Sequence, residues 1–384
     1  MTKNIFEDIR PYNDQEAVEA FQRIAESTLF AQIMENFYPE KDFSVLKKTF
    51  REMTSVQEFH DKFALYIAKK AIQSSTVNYS VKNSGNIKPN ISYSFISNHR
   101  DIVMDALILQ VFLIEEFNQI MEISFGSNLM INPLIVDIGK VCQMYKTDRS
   151  GTARELYIKL SRLSEYLRYT VTEKKKSTWI AQRNGRTKDG LDRTDPGLIK
   201  MYSMSGRSNF KAHFRQMNIT PVSVSYQYES CDYMKVREIY LRQLGGEYKK
   251  HKNEDYESIL YGVTQQKGNT TLVISNPITE DEIQELSDNY FTFCHELTRI
   301  IDQRIIENYH FWNTNFMAFD LLYNSENYRS KYTEFELIEF KKYIQEKLNL
   351  IKDIEETQVL EKLFLQLYAH PIKNKIEWHD YCTF

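Results

Sequence analysis

The sequence predicts an α/β fold, a mixed sheet flanked by helices with helical additions at both ends. Two observations carry this. From Ile91 onward, short β-type runs alternate with helical stretches: ISYSFIS (91–97), MEIS (121–124), STWIAQ (177–182), ITPVSVSYQY (219–228) and TLVIS (271–275). Before and after that zone, apolar residues recur at helical spacing. A chain of 384 residues that is 42% hydrophobic and 26% charged has enough apolar material for one large core with additions.

At the start of the chain, Asn13 with Glu16 and Thr54 with Gln57 have the spacing of capping boxes. Val18, Phe21, Ile24, Leu29 and Ile33 predict a helix over 16–37. Phe59, Phe63, Leu65 and Ile67 predict another over 56–72. The polar stretch 74–90 reads as a loop or hairpin. Helices are expected between the strands near 101–117, 152–173, 197–204, 234–244 and 256–265. After Asn276-Pro277 one long helix is expected over 280–309, followed by 335–350 and 357–368. The expected organisation is a helical N-terminal region (1–85), an α/β domain (86–278) and a helical C-terminal region (279–384).

Composition narrows the function classes. A net charge of -3 gives no global field for nucleic acid. Cys142, Cys231, Cys294 and Cys382 form no CxxC pair, so a zinc cluster or disulfide framework is not expected. The opening MTKNIFEDIRPYND has no apolar signal region. The most apolar stretch, 102–114, is interrupted by Asp105 and Gln110 and falls short of the roughly 20 residues a spanning helix needs. A cytoplasmic protein lying peripherally on a membrane is the expectation. The aromatic share of 13% and the tract Lys174-Lys175-Lys176 suit contact with an anionic lipid surface, although a lysine run also suits a solvated helix end.

The chemistry-bearing segment is Ser97-Asn98-His99-Arg100-Asp101-Ile102-Val103-Met104-Asp105, which leaves an apolar strand and opens a helix. A histidine there can take a proton from a hydroxyl near neutral pH. A carboxylate beside it fixes its tautomer, and Asp101 and Asp105 are both candidates. Downstream lie Gly126-Ser127-Asn128-Leu129 with Pro133, Lys140 and Tyr145-Lys146; then Trp179 to Thr187, holding Arg183, Gly185, Arg186 and Thr187; then Ile219-Thr220-Pro221-Val222. A guanidinium in the third segment can grip a phosphate with two N–H bonds, and Gly185 allows close backbone approach.

Taken in order, these four segments resemble the motifs of the glycerol-3-phosphate and 1-acylglycerol-3-phosphate acyltransferase superfamily. The resemblance runs over about a third of the chain and implies that family's α/β fold. It implies His99 as general base with Asp105 orienting it, although five residues separate them where the family has four. It implies substrate contacts by Arg100, Asn128, Lys146, Arg183, Gly185, Arg186, Thr187 and Pro221. The third segment departs from the family order: Asn184 stands in place of a Glu, and Arg and Thr are exchanged. The phosphate grip is therefore left open between Arg186 and Arg183. The implied reaction moves a fatty acyl group from acyl-CoA or acyl-carrier protein to a hydroxyl of glycerol-3-phosphate or lysophosphatidate, with no resident cofactor, no metal and no covalent acyl-enzyme. Transfer to another acceptor such as an amino-acid lipid, a non-catalytic lipid-binding protein on the same fold, and a phosphoester hydrolase are the competing readings.

Overall fold

A computed structural model describes residues 5–245, 248–251 and 253–382, with side chains through Trp378. The side chain of Cys382 and residues 1–4 of the apolar-signal reading lie outside the described residues.

The strands are β1 (Asn78–Lys82), β2 (Ser94–Ser97), β3 (Glu122–Gly126), β4 (Met144–Thr147), β5 (Thr178–Ala181), β6 (Ile219–Tyr226) and β7 (Asn269–Ile274). They form one mixed sheet in the order β1-β7-β6-β2-β5-β3-β4. All neighbours are parallel except β6 and β7. The central strands read as near-continuous apolar runs because both their faces are covered. Side chains alternate between two cores, as the two-residue strand period requires. Ile96, Ile180 and Ile219 face the core shared with helices Ala153–Thr172, Pro196–Ser203 and Tyr290–Glu307. Phe95, Trp179, Val222, Val224 and Tyr226 face the core shared with helices Leu65–Ser75 and Met104–Phe117. Full burial of each large apolar side chain contributes roughly 1.5–3 kcal/mol.

Two further cores are helical. One joins the N-terminal helices Asp14–Ala25, Thr28–Phe37 and Phe43–Arg51 to the helix Pro133–Val141. The other joins Asp232–Gln243, Asn313–Tyr323, Glu334–Leu348 and Thr357–Cys382. The packing runs across both expected boundaries: β1, within 1–85, pairs with β7, and the helix Tyr290–Glu307, beyond 278, packs on the sheet.

Several elements differ from expectation. The stretch 74–90 contains β1, an edge strand with alternating half-burial and hence little apolar signal. The helix expected over 16–37 is two, because the Ser27 hydroxyl accepts from Phe30 N at 3.1 Å and starts a new helix. That over 280–309 breaks before Asn289, whose carboxamide oxygen caps Tyr290–Glu307. The box expected on Thr54 and Gln57 is replaced by a single cap one residue later: Ser55 Oγ accepts from Glu58 N at 3.1 Å, while Glu58 Oε2 accepts from Thr54 N at 2.8 Å. The box at Asn13 and Glu16 is present as read. The last helix continues through Pro371 to Cys382. Among the described residues no helix is long and apolar enough to cross a membrane.

Candidate active site

Strands β2 to β6 run the same way, so their carboxyl ends open on one crevice, where an open α/β sheet places its chemistry. His99 follows β2, Asn128 follows β3, Lys146 is the next-to-last residue of β4, and the Arg183–Thr187 loop follows β5.

Asp101 begins the construction. Its Oδ1 accepts from Val103 N and Met104 N, both at 2.8 Å, and so caps the helix Met104–Phe117. Its Oδ2 accepts from the Ser230 hydroxyl. Burial alone pushes this carboxyl up, but the Lys267 ammonium and the capped N–H groups outweigh it and hold Asp101 below the usual carboxylate range. Asp105, in the first turn of that helix, folds back over the loop. Its Oδ2 accepts from His99 Nδ1 at 2.9 Å, Arg100 N at 2.7 Å and Asp101 N at 3.0 Å. Its Oδ1 accepts from the Tyr226 hydroxyl at 2.7 Å. Asp105 is fully enclosed, whereas the His99 side chain is 14% exposed. Nε2 of His99 has no partner among the described residues, and the ring stands edge-on to Trp179 at 5.9 Å. This is the arrangement of an oriented base: Nδ1–H on the carboxylate, Nε2 free to accept a proton.

The loop after β5 is pinned to this turn at both ends. Gln182 N donates to Ser97 O at 2.8 Å, and Thr187 N donates to His99 O at 2.7 Å. The excursion Arg183-Asn184-Gly185-Arg186 therefore rises directly beside His99, and Gly185 turns it at φ 72° with open space around it. Continuing the register of Ser97 with Ala181, positions 99 and 183 stand on neighbouring strand ends. Arg183 is half-buried, with no hydrogen-bond or ion-pair partner among the described residues. Arg186 is 8% exposed, and its Nη1 is enclosed without a partner. Burial opposes its charge; Cys231, Asp101 and Glu238 around it outweigh that and hold the guanidinium above its ordinary value. Thr187 is buried, donating to Asp192 Oδ1 at 2.7 Å.

Arg100 is fully enclosed. Its Nη2 donates to Asp192 Oδ2 at 2.5 Å, its Nη1 to Glu229 Oε2 at 3.0 Å, and Tyr309 lies over it at 5.2 Å. Lys235 Nζ donates to Glu229 Oε1 and to Arg100 O, both at 2.8 Å. Asn98 completes the frame: its carboxamide exchanges hydrogen bonds with Val224 N and O at 2.7 and 2.8 Å, tying the His99 turn to β6. The C-terminal helix closes the back of the loop. His370 Nδ1 meets Asp189 O at 2.6 Å, and Gly190, at φ 79°, leaves no room for a Cβ, which would fall 2.5 Å from Leu367 O.

The other sequence-derived residues lie farther out. Asn128 donates to Asp255 Oδ2 at 3.0 Å, and Asp255 in turn lies in the field of Arg186. Lys146 sits 3.8 Å from Asp148 and three strands from β2, roughly 14 Å at ordinary strand spacing. Pro221 is buried inside the sheet opposite Ile96. Of the lysine tract, Lys174 is paired with the buried Glu122 and Lys176 donates to Gln143 at 3.1 Å, leaving Lys175 exposed. Cavities of about 730 and 560 Å³ are lined by residues ahead of β2 and β6 and around Arg10 and Lys176, away from His99. Among the described residues no group of three or more His, Cys, Asp or Glu stands together as a metal site. Sequence reasoning assigned no role to Asn98, Asp192, Tyr226, Glu229 or Lys235. Only Asn98, inside the first motif, carried a local signal.

Asp302 adds a pH-sensitive group behind the loop, accepting from Thr194 N at 2.7 Å. Burial, aided by the Asp192 charge, raises its carboxyl to about 6. A carboxyl raised on folding binds its proton more tightly in the folded chain, so stability falls as pH rises from about 4 to about 6. Asp302→Asn keeps an acceptor for Thr194 and removes that loss. Its unfolding free energy is expected to exceed wild type by about 1–2 kcal/mol above pH 6 and to match it near pH 4. Urea titrations at the two pH values check this.

No family model matches the chain, and no curated protein matches it. Among solved structures, the 1-acyl-sn-glycerophosphate acyltransferase PlsC of Thermotoga maritima is similar to it at 14% identity and a TM-score of 0.38, over 76% of this chain and 92% of that one.

Proposed function

We propose that the protein is an acyltransferase in which His99 is the general base. The observation that supports this above all is the His99–Asp105 pair: an oriented imidazole with a free Nε2 beside an unpaired guanidinium at the carboxyl ends of parallel strands. In this reading acyl-CoA or acyl-carrier protein brings a thioester, and the acceptor is a phosphorylated glycerol, glycerol-3-phosphate or lysophosphatidate. His99 Nε2 takes the hydroxyl proton as the oxygen attacks the thioester carbonyl. The tetrahedral intermediate collapses, the C–S bond breaks, and the thiolate leaves and takes up a proton. The charge developing on the carbonyl oxygen needs N–H donors, and in this reading the backbone N–H groups of the Arg183–Arg186 excursion supply them. The work would take place at a membrane surface, where acceptor and product lipids reside.

The phosphate grip falls to Arg183 rather than Arg186. Acids and a thiol already compensate Arg186, and little of it is exposed; Arg183 has no partner and rises beside the base. Arg100 enters as a brace, since its guanidinium is committed to two carboxylates. Arg183→Gln is expected to raise the KM for the phosphorylated acceptor about 10- to 100-fold, the loss of a charge-assisted pair worth about 1.5–3 kcal/mol, and to leave the KM for the thioester unchanged. Steady-state thiol release with varied acceptor and fixed palmitoyl-CoA tests it. An unchanged acceptor KM returns the grip to Arg186. Absence of transfer to every phosphorylated glycerol by the wild-type protein rejects the proposed acceptor.

A further inference from the structure

The Asp105 carboxylate has no exposure and four donors, and three of them are local: His99 Nδ1 and the backbone N–H groups of Arg100 and Asp101. The fourth, the Tyr226 hydroxyl, comes from the last residue of β6, 121 positions away, and is the sole partner of Oδ1 among the described residues. Tyr226 is itself fully buried, so its hydroxyl has no water to turn to. Burial, followed by the Asp105 charge, pushes the phenol well up, so it remains a protonated donor throughout the working pH range.

We infer that Tyr226 is a positioning residue that sets the basicity of His99 by holding the far oxygen of Asp105; the inference rests on the acyltransferase reading of this site. A donor on Oδ1 draws charge from the carboxylate and weakens its hold on the imidazole proton. Without it, Asp105 is a stronger acceptor, the imidazolium form of His99 is favoured, and the free base appears only at higher pH. The surroundings leave Oδ1 no substitute. The other charged groups that face the pair are Arg100 and Asp101 on its own turn, Glu229 after β6, Lys267 ahead of β7 and Asp192 in the pinned loop. Arg100 is bound by Asp192 and Glu229, and the Lys267 ammonium is held by the carbonyls of Gly262 and Gln265. Tyr309, at the end of the helix Tyr290–Glu307, supplies a control. Its hydroxyl is buried in the same zone with no partner among the described residues, so Tyr309→Phe removes a phenol without removing one of their hydrogen bonds.

The experiment follows His99 by NMR in protein carrying 13Cε1-labelled histidine, alongside pH profiles of palmitoyl-CoA consumption with glycerol-3-phosphate or lysophosphatidate. In Tyr226→Phe the His99 titration and the acid limb of kcat/KM are expected to move up together by about 0.5–1 pH unit, with the acceptor KM little changed. Tyr309→Phe leaves both where they are. In an Asp105→Asn background, adding Tyr226→Phe produces no further shift. A Tyr226→Phe protein whose His99 titrates as in wild type overturns the inference, whatever its stability; so does an equal shift in Tyr309→Phe. The NMR arm needs no turnover, so a correct relay in a protein that transfers no acyl group condemns the acyltransferase reading and leaves the relay standing. If Tyr226→Phe fails to fold, Tyr226→3-fluorotyrosine, a stronger donor of nearly the same size, is expected to move the titration in the opposite direction; no movement counts against the relay.

Discussion

His99→Ala is expected to lower the rate of acyl transfer by about 10² to 10⁴, the range that loss of a positioned general base costs. The variant should keep its fold. Asp105 Oδ2 retains two backbone donors and Oδ1 retains Tyr226, so no buried carboxylate is stranded when the imidazole goes. Melting within a few degrees of wild type, together with the lost rate, separates chemistry from damage. The same argument makes Asp105→Ala a poor probe. That carboxylate fastens the backbone of the whole turn as well as the base, and its loss mixes the two effects. Equal thiol release by wild type and His99→Ala, with acyl product formed in both, would refute the assignment of the base.

What the sequence revealed of this fold follows from where the information sits. Strands β2, β5, β6 and β7 were legible because each is buried on both faces and reads as an apolar run. β1 and β4 were not: they are the outermost strands of the sheet, and NYSVK and MYKT carry too few apolar residues to stand out. The break at Ser27 was hidden because the apolar spacing continues across it, with no Gly or Pro to mark the stop. Within the site, His99 and Asp105 were legible because six positions bring them together through one loop and one helical turn. Tyr226, Asp192 and Glu229 reach the same turn from 121, 92 and 129 positions away, and no local pattern encodes that. Arg183 and Arg186 share one short loop. Arg186 is set apart from Arg183 by Cys231 and Glu238, at the start of and within the helix Asp232–Gln243, and no local pattern in the loop encodes those surroundings.

Arg100 separates two roles open to a residue beside the candidate base: bracing the frame or touching the substrate. Its neighbour in sequence is the candidate base, yet its side chain runs the other way, into a buried cluster with Asp192, Glu229 and Lys235. That cluster joins the His99 turn, the loop after β5 and the helix Asp232–Gln243, so it fixes the distance between the base and the Arg183 excursion. Burial opposes the Arg100 charge, and the Asp192 carboxylate, the Tyr309 ring and Glu229 outweigh it. Arg100→Met leaves Asp192 enclosed with only the neutral Thr187 hydroxyl and Asn98 carboxamide as partners, and leaves Glu229 with Lys235 alone. Removing one partner of such a pair is expected to cost about 3–5 kcal/mol, read as a lowered urea midpoint with an unchanged slope. If Arg100 instead contacted the acceptor phosphate, Arg100→Met would raise the acceptor KM at nearly full stability. As a brace, it should lose stability first, and at temperatures where the variant is fully folded its acceptor KM should stay within a few-fold of wild type. A stability loss under about 1 kcal/mol, together with a KM rise of tenfold or more, would move Arg100 from the frame into the binding site and require the loop after β5 to be held by other contacts.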